Sequence, residues 1–189
     1  MKWIFATLAL ALAACTTPTA APRDPFERLA ALCGKAFEGR IVSPPAAADA
    51  AFAAQRLVMH VRECSSDVIR IPFHVGNDAS RTWVVSRTAS GLRLKHDHRH
   101  RDGSEDVVTQ YGGDSSVAAT MMRQTFPADD FTKALLRRQG NAPGVDNVWA
   151  IEVDDRHFAY ELRRPARFFR VEFDLTRPVA PPPPPWGSK

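Results

Sequence analysis

Cysteine is scarce in this chain, three in 189 residues, so each one has to be read by its position. No apolar run reaches the ~20 residues that carry a helix across a bilayer. The stretch from Trp3 to Ala14, broken only by Thr7, stops short of that. There is no G-x-S-x-G elbow, no P-loop and no G-x-G-x-x-G, so the commonest hydrolase, nucleotide and dinucleotide sites have no sequence support. No internal repeat and no alternation of strand and helix signals appears, which removes solenoids and doubly wound sheets. What is present is ordinary for a globular protein: 44% hydrophobic residues, 24% charged residues and a net charge of +4. That composition excludes a multi-span membrane protein and a wholly disordered chain. The length suits one domain.

The N-terminus reads as an address. Met1-Lys2 supplies a positive charge, Trp3 to Ala14 an h-region, and the run ends Leu12-Ala13-Ala14-Cys15. This resembles a bacterial lipobox, in which the cysteine is acylated and becomes the new N-terminus. The expected organisation is a lipoprotein signal peptide over 1–14, a lipidated Thr/Pro/Ala-rich tether over 15–25, one domain over 26–177, and a Pro-rich tail over 178–189. Two or more acyl chains on Cys15 would anchor the protein stably in a lipid bilayer, since one chain holds only weakly. By resemblance to the sorting rule for such lipoproteins, Thr16 rather than Asp after the cysteine points to the outer membrane, facing the periplasm.

Cys33 and Cys64 are then an even pair in an oxidising compartment, and a disulfide between them is expected. Neither has an adjacent histidine that would suggest a catalytic thiol.

Asp24-Pro25 followed by Phe26, Leu29, Ala30 and Leu32 predicts a capped helix ended by Gly34. A short strand follows over 35–42, and the Ala-rich run to Ala54 fits a loop or a helix. From Gln55 the period is two, with Leu57, Met59 and Val61 on one face, then Ile69, Ile71, Phe73 and Val75, then Trp83 and Val85, then Leu92 and Leu94. Two further strands are expected over 107–112 and 120–126, with Gly112-Gly113 read as a turn. A helix over 127–139 is expected to bury Phe131, Ala134 and Leu135 and to stop at Gly140. Strands over 147–153, 156–162 and 167–175 close the domain. Nine or ten short strands joined by tight turns predict an all-β fold, an antiparallel up-and-down β-barrel of the calycin (lipocalin-like) kind. It would carry one N-terminal helix near one end and one inserted helix. A β-sandwich or jelly roll is the alternative. The tail, with five prolines from Pro181 to Pro185, is expected as extended, disordered polyproline without strand bonds. The basic cluster Arg163-Arg164-Pro165-Ala166-Arg167 is expected to cap a hairpin, solvated or facing an anionic envelope surface.

His96, His98 and His100 are the most informative residues. They continue the face of Leu92 and Leu94, so on a strand they would line the interior near one mouth. Three readings stand side by side. They could hold a divalent metal, with two of the three chelating and a third ligand from His60, His74 or His157. They could orient a small molecule in an apolar cavity. Or they could form a polar strand end bonded to Tyr111, Asp106 or Glu105. The pattern lacks the aspartate of the dinuclear hydrolase motif H-x-H-x-D-H, because Arg99 precedes His100. It follows the order of a cupin motif, Gly91, His96, His98, Glu105, Gly112, but not its spacing. No catalytic residue can be named.

The stretches Arg81-Thr82-Trp83, Leu94 to His100, Tyr111 to Asp114 and Arg167 to Leu175 are similar to a family of uncharacterised secreted proteins and lipoproteins of proteobacteria. The resemblance spans about 32–178 and implies no activity. The expectation is therefore an envelope lipoprotein, a non-enzymatic binding module for a small or lipidic ligand. The alternatives are a metal-binding protein or metal-dependent enzyme on the histidine strand, and a structural interaction protein with an unidentified envelope partner. A nucleic-acid partner is not expected, since aromatic and basic residues do not interleave.

Overall fold

Asp24 caps the first helix as its position suggests: its Oδ1 accepts from the Glu27 N–H at 2.8 Å, with Pro25 at the first helical position. This helix, α1 (Pro25–Ala30), buries Phe26 and Leu29. The computed structural model describes residues 24–115 and 122–188. The expected signal peptide, Cys15 and the tether up to residue 23 lie outside the described residues, as do Thr120 and Met121.

Eleven strands follow α1: β1 (Ala36–Ile41), β2 (Leu57–His60), β3 (Glu63–Cys64), β4 (Val68–Val75), β5 (Asp78–Thr88), β6 (Gly91–His98), β7 (Tyr111–Asp114), β8 (Arg123–Pro127), β9 (Val148–Val153), β10 (His157–Arg164) and β11 (Arg167–Val179). The Ala-rich run forms a 3₁₀ turn, Ala47–Asp49, and α2 (Ala50–Ala53); α3 (Asp130–Arg138) joins β8 to β9. Ten strands form one antiparallel path, β7-β6-β5-β4-β2-β1-β11-β10-β9-β8, and β3 pairs beside it with β4. Neighbours on the path are consecutive strands, apart from β2 with β4, which skips the off-path β3, and the closing pair of β1 with β11. This is an up-and-down meander rolled into a nearly closed barrel. A two-sheet sandwich would have broken the path. Among the described residues, no helix is long and apolar enough to cross a membrane.

The seam between β7 and β8 is closed without a ladder. The Asp129 N–H donates to the Gly112 carbonyl at 3.0 Å, and Thr132 Oγ1 bonds both the N–H and the C=O of Gly112, at 2.7 and 2.8 Å. Gly112-Gly113, expected as a turn, lies in β7. A Cβ on Gly112 would strike the Leu94 carbonyl, and one on Gly113 the Pro127 carbonyl. Gly113 permits close approach across the seam, and Gly112 close approach to β6 on the other side. Residues 107–110, expected as strand, belong to the loop before β7, where Val107 is exposed. Helix α3 turns a different face inward from the one expected: Thr132, Leu135 and Leu136 are buried. Phe131 is exposed and lies under the Lys95 ammonium, at 5.2 Å. Thr132 wins the inward position because the seam needs its hydroxyl.

The barrel has a packed base and an open mouth. At the base α1 is held by the Arg28–Asp155 and Arg87–Asp24 ion pairs, and the Arg87 guanidinium lies over Phe26 at 4.3 Å. Cys33 and Cys64 are disulfide-bonded with Cα atoms 6.3 Å apart, tying the end of this helical segment to β3. At the mouth stand the 42–56 segment, the 99–110 loop, α3 and the Pro165–Ala166 turn between β10 and β11.

The tail does not run free as expected. β11 continues to Val179, which pairs with Ala36. The prolines then lie beside Val58 and His74, and Pro185 to Ser188 lie beside Pro72, Thr82 and Asp97. The Trp186 N–H donates to the Ala79 carbonyl at 3.0 Å, and the Arg101 guanidinium lies 5.4 Å from its ring. Val58, Pro72, His74, Thr82 and Asp97 are outward positions of β2, β4, β5 and β6, yet all are buried. Polyproline lacks N–H groups for a ladder, but it can cover an outer sheet face. That face had unpaired apolar surface in Val58 for it to cover.

Candidate functional site

Strict alternation brings Arg81, Trp83 and Val85 of β5 to the interior, with Leu92, Leu94, His96 and His98 of β6, Trp149 and Ile151 of β9, Tyr160, Leu162 and Arg164 of β10, and Arg167, Phe169 and Val171 of β11. Layers below Trp83 are filled by Val85, Leu94, Ile151, Phe158 and Val171, each 2% exposed or less. Above them a cavity of about 520 Å³ opens at the mouth.

Its walls are two aromatic stacks. Trp83 lies between Phe73 at 4.7 Å and Tyr160 at 4.4 Å, both near-parallel. His96 stacks on Tyr111 at 4.5 Å and tilts against Trp149 at 5.1 Å. One hydrogen bond joins the stacks, His96 Nε2 to Tyr160 Oη at 2.8 Å. His96 Nδ1 lies 3.1 Å from the Tyr111 carbonyl. A carbonyl only accepts, so Nδ1 carries the proton, Nε2 is the acceptor, and the Tyr160 hydroxyl donates. Burial lowers the His96 pKa to about 3, reinforced by the neighbouring His98. His98 bonds the Tyr111 hydroxyl through Nε2 at 3.0 Å; burial, with Arg81 nearby, lowers its pKa to about 4. Burial raises both tyrosines. At neutral pH the wall is uncharged: two neutral imidazoles and two phenols.

The three predicted histidines therefore separate. His96 and His98 line the cavity, whereas His100 lies beyond the end of β6, exposed, with Nε2 4.0 Å from Asp106. His60 and His74 lie on outward positions of β2 and β4, and His157 starts β10 at the base beside Asp154. None of these can complete a metal site with His96, whose two ring nitrogens are both committed. Among the described residues no group of three or more His, Cys, Asp or Glu side chains is arranged to hold a metal ion.

The polar rim was only partly visible in the sequence: Arg164 and Arg167 do flank the β10–β11 turn as expected, but they line the cavity mouth, and Asp106, expected beside the histidines, joins them there. Arg81, Arg164, Arg167, Asp49, Asp106, Asn141 and Asn147 line the mouth. Arg81 shares parity with Trp83, and Arg167 shares parity with Phe169, so alternation alone could have placed both. Asp49 and Asn147 come from connecting segments, where no period exists to read. Among the described residues, the lining contains no Ser, Thr, Cys or Lys.

Set against family models, curated proteins and solved structures, the chain finds no match in any of the three.

Proposed function

We propose that this protein is an envelope-anchored, non-enzymatic binding module of calycin-like plan, holding a small apolar or lipidic ligand in the mouth of its barrel. The observation that carries this reading is the contrast inside one barrel: side chains fill the base, and a 520 Å³ hollow with aromatic walls remains at the mouth. Sites for small molecules span roughly 300–1,000 Å³, mostly apolar with a few placed polar groups. The up-and-down meander with a helix across its base supports the calycin-like plan. A binding role is supported by walls made mostly of aromatic and aliphatic side chains and by His96, whose two ring nitrogens are both hydrogen-bonded within the wall. The disulfide fits an oxidising compartment, and Leu12-Ala13-Ala14-Cys15 supports lipid anchoring at the outer membrane.

Native mass spectrometry of the protein purified from its membrane should show a retained noncovalent mass that Leu162→Trp, which fills the cavity, removes. The same retained mass on both proteins would place the ligand elsewhere. Palmitate labelling should appear on the full chain and vanish in Cys15→Ser; labelling that persists would sink the anchor.

A further inference from the structure

Among the described residues at the cavity mouth, Arg164 has no carboxylate partner and Asp49 Oδ2 is a buried carboxylate oxygen without a donor, and Arg167, cross-strand from the first and ion-paired with the second, links them. Arg164 and Arg167 face each other across the last step of the β10–β11 ladder. Arg167 Nη2 donates to Asp49 Oδ1 at 2.6 Å. Asp49 is only 3% exposed, and its second oxygen, Oδ2, is buried with no partner. Buried polar atoms are almost always hydrogen-bonded, so Oδ2 marks a point where a donor is wanted.

The other lining charges are committed. Arg81 is paired with Asp78 at 2.6 Å and lies over Phe52. Asp106, on the 99–110 loop, accepts from the Val108 N–H at 2.7 Å. Arg164 touches no carboxylate among the described residues; its hydrogen bond goes to Asn147 Oδ1 at 3.2 Å. A guanidinium with free N–H groups is suited to a carboxylate. The stacked rings of Trp83 and Tyr160 line the same cavity.

The geometry points to a ligand class: an amphipathic carboxylate with an N–H donor beside the carboxylate, as in an N-acyl amino acid. Its flat or acyl body fills the aromatic hollow, its carboxylate meets Arg164, and its N–H meets Asp49 Oδ2. This rests on the cavity-binding reading above and adds the head group to it.

Three fluorescent probes share one aromatic body and separate the two contacts. Dansylglycine carries both the carboxylate and the N–H. Dansylsarcosine keeps the carboxylate but has a methyl in place of the N–H hydrogen. Dansylamide keeps N–H and has no carboxylate. Titrated against the purified protein, dansylglycine should bind on the order of tenfold or more tightly than either of the others, the worth of one charge-assisted hydrogen bond. Arg164→Gln should erase its advantage over dansylamide while keeping that over dansylsarcosine. Asp49→Asn, which can place an amide N–H where Oδ2 stood, should do the reverse. Equal binding of all three probes to the unmodified protein would overturn the head-group assignment and leave the cavity reading standing. Binding of none would overturn both.

Discussion

At the base of the barrel, Phe26 and Leu29 plug the opening, two ion pairs flank the helix, and a disulfide ties it down. At the mouth the same ring of strands ends in arginines, neutral histidines and asparagines around a hollow. The base uses apolar area and a covalent link, which stabilise without regard to what is bound. The mouth leaves Asp49 Oδ2 unpaired, His96 buried and His98 half-buried, which costs stability. Stability is thus concentrated at one end, and the proposed binding site lies at the other. If that division is right, damage to the base should unfold the protein without altering ligand preference, and damage to the mouth should do the opposite.

The largest effect should come from the base. Phe26→Ala removes a ring that is 2% exposed and should cost about 3–5 kcal/mol in denaturant unfolding. Reducing the Cys33–Cys64 bond, which spans 31 positions, should cost about 4 kcal/mol by the chain-entropy model. Under conditions where either protein is still folded, the ranking of dansylglycine over dansylamide and dansylsarcosine should be unchanged. A changed ranking would mean that the two ends are coupled, and the division would fail.

Acid should act from the mouth. An unfolded histidine takes up its proton near pH 6.5, whereas His98 and His96 in the fold do so only near 4 and 3. The unfolded chain binds more protons in that window, so stability is complete above pH 6.5 and falls as pH drops toward 4. The slope is about 1.4 kcal/mol per pH unit for each histidine. His60 and His74, also lowered by burial on the outer face, add in the same direction. Urea unfolding from pH 7 to 4.5 measures this. His96→Gln, which offers the Tyr160 hydroxyl an amide oxygen in place of Nε2, should flatten the slope by about one histidine's worth. An unchanged slope would mean that His96 is not the neutral buried group described.

The division between the two ends is also the division between what alternation reveals and what it conceals. Leu57, Ile71, Trp83 and Leu94 announced their faces because a strand inside a barrel has one wet and one dry side. The capped helix at Asp24 and the cystine were legible for similarly local reasons. His96 and His98 followed from the parity of Leu92 and Leu94, and His100 departed because β6 ends at His98. The seam was not legible: Thr132 turns inward, and Gly112-Gly113 sits in a strand, because of contacts between segments far apart in sequence. The tail was misjudged because the absence of ladder donors was read as absence of contact. The buried Val58, on the wrong parity for the core, was the signal that something covers the outer face.

The smallest effect tests whether that covering reaches the mouth. The tail ends on the loop that lines the cavity: Trp186 lies by Arg101, and the backbones of Gly103 and Gly187 approach so closely that a side chain on Gly103 would crowd Gly187. The same loop carries Asp106 and Val108 into the lining. Trp186→Ala removes the ring beneath Arg101 but keeps the N–H bond to Ala79, so the loss of global stability should be about 0.5–1 kcal/mol. The local effect should be clearer. Amides bonded within the loop, such as those of His100 and Gly103, should exchange faster with deuterium. Amides at the base, such as Gly34 bonded to Val61, should not change. Equal acceleration at both ends would show a general loosening. Acceleration confined to 99–106 would make the tail a strap on the mouth, reached from the outer face of the same sheet that holds the cavity within.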